Sequence, residues 1–114
     1  MKNGESKTDL LQGSLDLLIL KSLSLEPMNG WQIARRIGQI SDEWLELKQG
    51  SLYPCLHRLE AKGWIEATWG VSENNRRAKF YEMTNAGREQ LESEIATWKR
   101  YSGIVEALLS MGPA

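Results

Sequence analysis

Between Asp9 and Leu25 the chain carries Leu10, Leu11, Leu15, Leu17, Leu18, Ile19, Leu20, Leu23 and Leu25. Placed on a helix, these side chains cover more than one face, so the helix must be buried on several sides. A chain of 114 residues offers little to bury it with, and a second subunit could supply the cover. Asp16 and Lys21 interrupt the run from Leu15 to Leu25, which is too short and too charged to span a bilayer. The opening residues, Met1 to Lys7, are polar and lack a signal-peptide core. The expectation is a cytoplasmic protein with no membrane partner.

The length suits one domain. Apolar residues at 41% and charged residues at 25% are ordinary for a globular chain and argue against disorder. A lone cysteine, Cys55, excludes an internal disulfide and a cysteine-based zinc cage, and a lone histidine, His57, leaves little for metal binding. No metal site and no cofactor are expected. The sequence has no Walker loop, dinucleotide glycine fingerprint or HExxH. Cys55 and His57, two residues apart on a helix, point to different faces and cannot form a nucleophile–base pair. An enzyme is therefore not expected.

Net charge is −1 but uneven. Residues 48–88 hold seven basic and four acidic side chains, while the flanking segments are each acidic by two. The positive middle is a modest footprint for an anionic partner.

Pro27 ends the first helix, because proline disfavours helix in the residue before it. Asn29 is an N-cap for a second helix, and Gln32 completes a capping box. Trp31, Ile33, Ala34, Ile37 and Ile40 supply its apolar contacts. Residues 45–48 alternate and suggest a short strand. A third helix spans about 51–62, with its N-cap at Gly50 or Ser51 so that Pro54 falls in the first turn, and with Gly63 as its stop. Leu52, Cys55, Leu56 and Leu59 share one face. Tyr53, Pro54, His57, Arg58 and Ala61 share the other. A hairpin over about 64–83 turns at residues 72–75. The facing of Phe80 and Tyr81 on its return strand is open. Thr84 caps a last helix over about 85–110. Leu91, Ile95, Trp98, Val105 and Leu109 form a heptad seam on it, widened by Tyr101, Ile104 and Leu108.

Three helices followed by a two-stranded hairpin is a winged helix-turn-helix layout: mainly α with a small β-hairpin, plus a long C-terminal helix. The outward face of the third helix carries the groups that a recognition helix uses in the major groove. Arginine and histidine donate to base acceptors, while tyrosine and serine bond phosphate oxygens. The hairpin carries Arg76, Arg77 and Lys79, suited to phosphates as a wing.

Pro27-Met28-Asn29-Gly30-Trp31 with Ile33 resembles the opening of helix 2 in the PadR family of transcriptional regulators. Gly50-Ser51-Leu52-Tyr53-Pro54 with Leu56, Leu59-Glu60, Gly63 and Ile65 is similar to that family's most distinctive stretch. Residues 76–84 with Gly87-Arg88 resemble its wing strand and the cap of its last helix. Trp31 and Phe80 stand where tyrosine is commoner, and the single C-terminal helix matches the family's short members. The resemblance implies a homodimer that binds a near-palindromic DNA operator, usually as a repressor relieved by a small molecule.

The expected division is a DNA-binding domain over 1–84 and a dimerisation helix over 85–114 that packs with the first helix. Expected DNA-binding residues are Ser51, Tyr53, His57, Arg58, Arg76, Arg77 and Lys79, with Arg58 the best base reader. The expected dimer interface comprises Leu15, Leu91, Ile95, Trp98, Val105 and Leu109. Trp98 either fills the dimer core or, with residues near Leu15, lines a flat pocket for an aromatic effector. Cys55 is expected in the core. The rival reading is a winged helix that binds protein without binding DNA.

Overall fold

The computed structural model describes residues 3–113, with side chains from Ser14 onward. Helix α1 (Asn3–Leu25) leads to a two-residue strand β1 (Met28–Asn29), helices α2 (Gly30–Ile40) and α3 (Gln49–Ala61), strands β2 (Ile65–Val71) and β3 (Arg77–Met83), and helix α4 (Asn85–Leu109). The sequence places the start of α1 near Asp9; the helix begins six residues earlier, at Asn3. Leu10 and Leu11, expected on its buried surface, lie outside the described side chains. Leu15, Ile19, Leu20 and Leu23 form the α1 side of the core. Ile33 and Ile37 of α2, Leu52, Cys55, Leu56 and Leu59 of α3, Ile65, Tyr81, Met83 and Leu91 complete it together with Met28 and Leu47.

Asn29 caps α2 as expected. Its side-chain oxygen accepts the Gln32 amide N–H at 2.8 Å, and the Gln32 side chain accepts the Asn29 N–H at 2.9 Å. The expected strand over 45–48 does not form. The third strand is β1 instead, which pairs antiparallel with β3 (Met28 with Tyr81, Asn29 with Phe80), giving the order β1-β3-β2. Two residues carry no period that a sequence pattern can show, so only the tertiary pairing defines this strand. Residues 45–48 lead instead into α3, with Leu47 inserted in the core.

Helix α3 starts two residues earlier than expected, at Gln49. Lys48 is its N-cap, and Pro54 lies inside the helix. The residue four before it, Gly50, is exposed, so the carbonyl that loses its N–H partner belongs to a solvent-facing turn. The far end matches expectation. Gly63 takes a φ of 77°, Trp64 donates its N–H to Leu59 O and Gly63 donates to Glu60 O, a Schellman closure.

The hairpin register pairs Ile65 with Met83, Ala67 with Tyr81, Trp69 with Lys79 and Val71 with Arg77. Paired residues share a face, so one inner face runs from buried Ile65, Met83 and Tyr81 out to exposed Trp69, Val71 and Arg77. This settles the aromatic pair: Tyr81 points into the core, and Phe80 takes the other face, over Gly70. At the tip Ser72 donates its N–H to Arg76 O, and Asn75 turns the chain with a φ of 57°.

Thr84 caps α4. Its hydroxyl oxygen accepts the Gly87 N–H at 3.1 Å and its hydroxyl donates to Gly63 O at 2.6 Å, joining the end of α3 to the start of α4. The first half of α4 packs on α1 through Leu91 and Ile95. Beyond that, Trp98, Tyr101, Ile104, Leu108 and Leu109 are exposed, on an arm that stretches the molecule to 61 Å. Leu15 and Leu91, expected in a dimer interface, are buried in the chain's own core, where α4 packs on α1. Among the described residues no helix is long and apolar enough to cross a membrane.

Candidate nucleic-acid interface

The first turn of α2, the outward face of α3 and the inner face of the hairpin enclose an open groove of about 660 Å³. Tyr53, His57, Arg76, Arg77 and Lys79 all line it. Local geometry explains the convergence. The four inward residues of α3 lock its rotation, so positions 53 and 57, one turn apart, must face away from the core. Gly30 admits the Tyr53 ring, because a Cβ there would meet the ring oxygen at 2.9 Å. The register of the hairpin sends Arg77 and Lys79 to its inner face.

Ser51 is exposed in the first turn of α3 but does not line the groove. Arg58 turns away from it. Its guanidinium pairs with Asp16 of α1, and Asp16 also accepts the Cys55 S–H at 3.1 Å. The reason is rotational: Arg58 is one helical position beyond His57 and three beyond Cys55, which brings it to the edge where α3 meets α1. The Asp16 carboxylate raises the Arg58 pKa above its ordinary value. Lys79 lines the groove yet is also held, 3.3 Å from Glu60 of α3 and above the Tyr81 ring. Such partly exposed pairs are worth about 0–1 kcal/mol. Their consequence here is placement, since one ties α3 to α1 and the other ties the wing to α3. Neither Arg76 nor Arg77 forms an ion pair with a described residue.

Two groove residues escape the sequence reading. Trp31, expected among the apolar contacts of α2, is 55% exposed, with Arg35 over its ring at 5.1 Å. Ile40, expected beside it, is exposed as well. Trp69 suits a strand but lies in the groove, 56% exposed, under the Arg77 guanidinium. The signal for Trp69 is in the hairpin itself, since a long inner face must outrun a small core.

Burial first, then the hydrogen bond and charge of Asp16, push the Cys55 thiol up to about 12. At pH 8 its thiolate is therefore about a thousandfold scarcer than that of an ordinary cysteine. A disulfide reagent should label the native protein at least a hundredfold more slowly than the urea-unfolded chain. Rates within tenfold of each other would mean that the thiol is open to solvent.

A helix-turn-helix whose last helix presents a polar face beside a β-hairpin with Arg77 and Lys79 on its inner face is the layout of a winged-helix protein. The profile of the transcriptional regulator PadR-like family matches residues 19–93. A PadR-like transcriptional regulator from Bacillus cereus has a similar structure: 30% identity, a TM-score of 0.79, and coverage of 91% of this chain and 99% of that one. A transcriptional regulator from Clostridium thermocellum aligns with a TM-score of 0.79 at 26% identity, covering 87% of this chain and 96% of its own. Protein X of Lysinibacillus sphaericus is 26% identical over 103 residues, 90% of this chain and 94% of that protein. The chain belongs to the PadR-like family of transcriptional regulators. It is a DNA-binding regulator of transcription and not an enzyme.

Proposed function

We propose that the chain acts in the cytoplasm as a homodimeric repressor of a near-palindromic operator. Helix α3 enters the major groove with Tyr53 and His57 toward the bases. The wing approaches the DNA through Arg76, which grips phosphates, and Arg77. Residues 1–84 form the DNA-binding unit, and residues 85–114 form the dimerisation arm. Paired recognition helices then read half-sites about 34 Å apart, one helical turn. The observation that carries this reading is the single groove in which five of the seven expected DNA-binding residues meet. Its two arginines have no ion-pair partner among the described residues. Arg58 and Ser51 lie outside that lining, and Arg58 reaches DNA only by leaving Asp16.

A small aromatic effector would lie against Trp98 and Tyr101, whose rings are 6.4 Å apart on α4. Leu15, being buried, gives that surface no wall. The exposed Trp31 and Trp69 keep one specific observation in favour of a protein partner, since large aromatic anchors mark such faces.

The test is a gel shift on duplex DNA from upstream of the chain's own gene, across a range of salt. Replacing Arg76 with alanine should weaken specific and scrambled duplexes alike and flatten the log–log salt slope by about one unit. An unchanged slope removes the wing from the backbone. No shift with any duplex favours the protein-binding alternative.

A further inference from the structure

The groove leaves one feature unused. Trp69 is large, apolar and more than half exposed on the inner face of the wing, and the Arg77 guanidinium lies 4.3 Å from its ring centroid. An exposed indole on the outer half of the hairpin gains little from the protomer's own core. The stack on Arg77 contributes about 0.5–1 kcal/mol at such a site. What the stack changes is Arg77 itself. A free arginine loses much rotamer freedom when it is fixed against a ligand. Here the Trp69 ring already engages the guanidinium before any ligand arrives.

Position sets which surface it meets. The seven-residue strands span roughly 23 Å, and burial on the inner face ends at Ala67 and Tyr81. The outer part, carrying Trp69 and Arg77, therefore projects roughly 13 Å past the core. With α3 in a major groove about 12 Å wide, an extension of that length is enough to span the phosphate ridge toward the adjoining minor groove. Guanidinium groups are drawn into narrow, A·T-rich minor grooves, where the negative potential is enhanced. The 2-amino group of guanine obstructs the same approach.

We infer that Trp69 and Arg77 form a stacked minor-groove reader that gives this regulator a preference for A·T pairs flanking each major-groove half-site. Arg77 makes the contact, and Trp69 is its positioning residue. The inference rests on the DNA-binding reading above and adds a specificity to it.

The experiment begins with the wild-type protein selecting duplexes from a random pool. One selected duplex is then remade with its flanking A·T pairs changed to G·C or to inosine·C, which has the major-groove edge of G·C but no minor-groove amino group. Wild type should bind the inosine duplex within about twofold of the parent and the G·C duplex about tenfold more weakly. Trp69→Ala and Arg77→Ala should each bind the parent several-fold more weakly and discriminate G·C from inosine·C by less than about twofold. Trp69→Phe, which keeps a ring under the guanidinium, should retain most of the discrimination. A fold loss alone would not abolish discrimination selectively, and circular dichroism checks that each variant is folded. The inference is overturned if Trp69→Ala keeps the full G·C penalty, or if the selected duplexes carry no flanking A·T preference. If wild type enriches no duplex at all, the DNA-binding reading fails before any Trp69 variant is made.

Discussion

Gly87→Ala should destabilise the protein by about 3 kcal/mol or more and lower its Tm by roughly 10 °C or more. In an exposed helix the same change gains up to about 1 kcal/mol from propensity, so the sign depends on the surroundings. Gly87 is buried in the first turn of α4 against the end of the α3–β2 connection. A Cβ there would overlap the Trp64 carbonyl oxygen and approach Met83 Cγ to 2.8 Å. The carbonyl is backbone and cannot swing aside, because it accepts the Thr84 N–H at 3.1 Å. Relief requires either breaking that bond or lifting α4 away from its cap. A domain of this size has about 5–15 kcal/mol in total, so the loss is a large share. Urea unfolding checks it. A midpoint equal to or above that of wild type would show that the first turn of α4 can move freely.

Replacing Val105 and Leu109 together with aspartate should convert the expected dimer to a monomer at micromolar concentration, a loss of at least a hundredfold in association. The outer half of α4 exposes Trp98, Tyr101, Ile104, Leu108 and Leu109 together, with Leu109 73% exposed. A contiguous apolar stripe of that length is unusual on a free surface. Neither substituted side chain belongs to the protomer's core, so helicity should persist while sedimentation changes. A double variant that still sediments as a folded dimer would move the interface elsewhere, with the half-buried Leu17 and Leu18 of α1 as the next surface to test.

Much of this architecture is legible in local chemistry. Asn29 with Gln32, Gly63, and Thr84 each declare a helix end through a hydrogen bond made within a few residues. The inward face of α3 follows from rotation alone. The misreadings arise where distant segments decide. Strand β1 exists only because β3 lies beside it. Pro54 lies deeper in α3 than proline usually tolerates, because the helix nucleates at Lys48 and its exposed turn at Gly50 can give up a bond. Arg58 shares an outward arc with His57, but only the placement of α1 shows that Asp16 waits at that edge. Trp31 reads as an apolar contact of α2, yet its ring opens on the groove and stays more than half exposed.

Asn29 belongs to two elements at once. Its backbone extends the sheet at Phe80, and its side chain starts α2. The wing strand and the helix-turn-helix thus share a residue that is itself buried. The distance between them is fixed when the chain folds, so the ordering entropy of the groove is met during folding and not during association with DNA. A rigid receptor of this kind gains affinity through preorganisation. It also meets a misfitting duplex with little accommodation, so that discrimination falls on the DNA's capacity to bend.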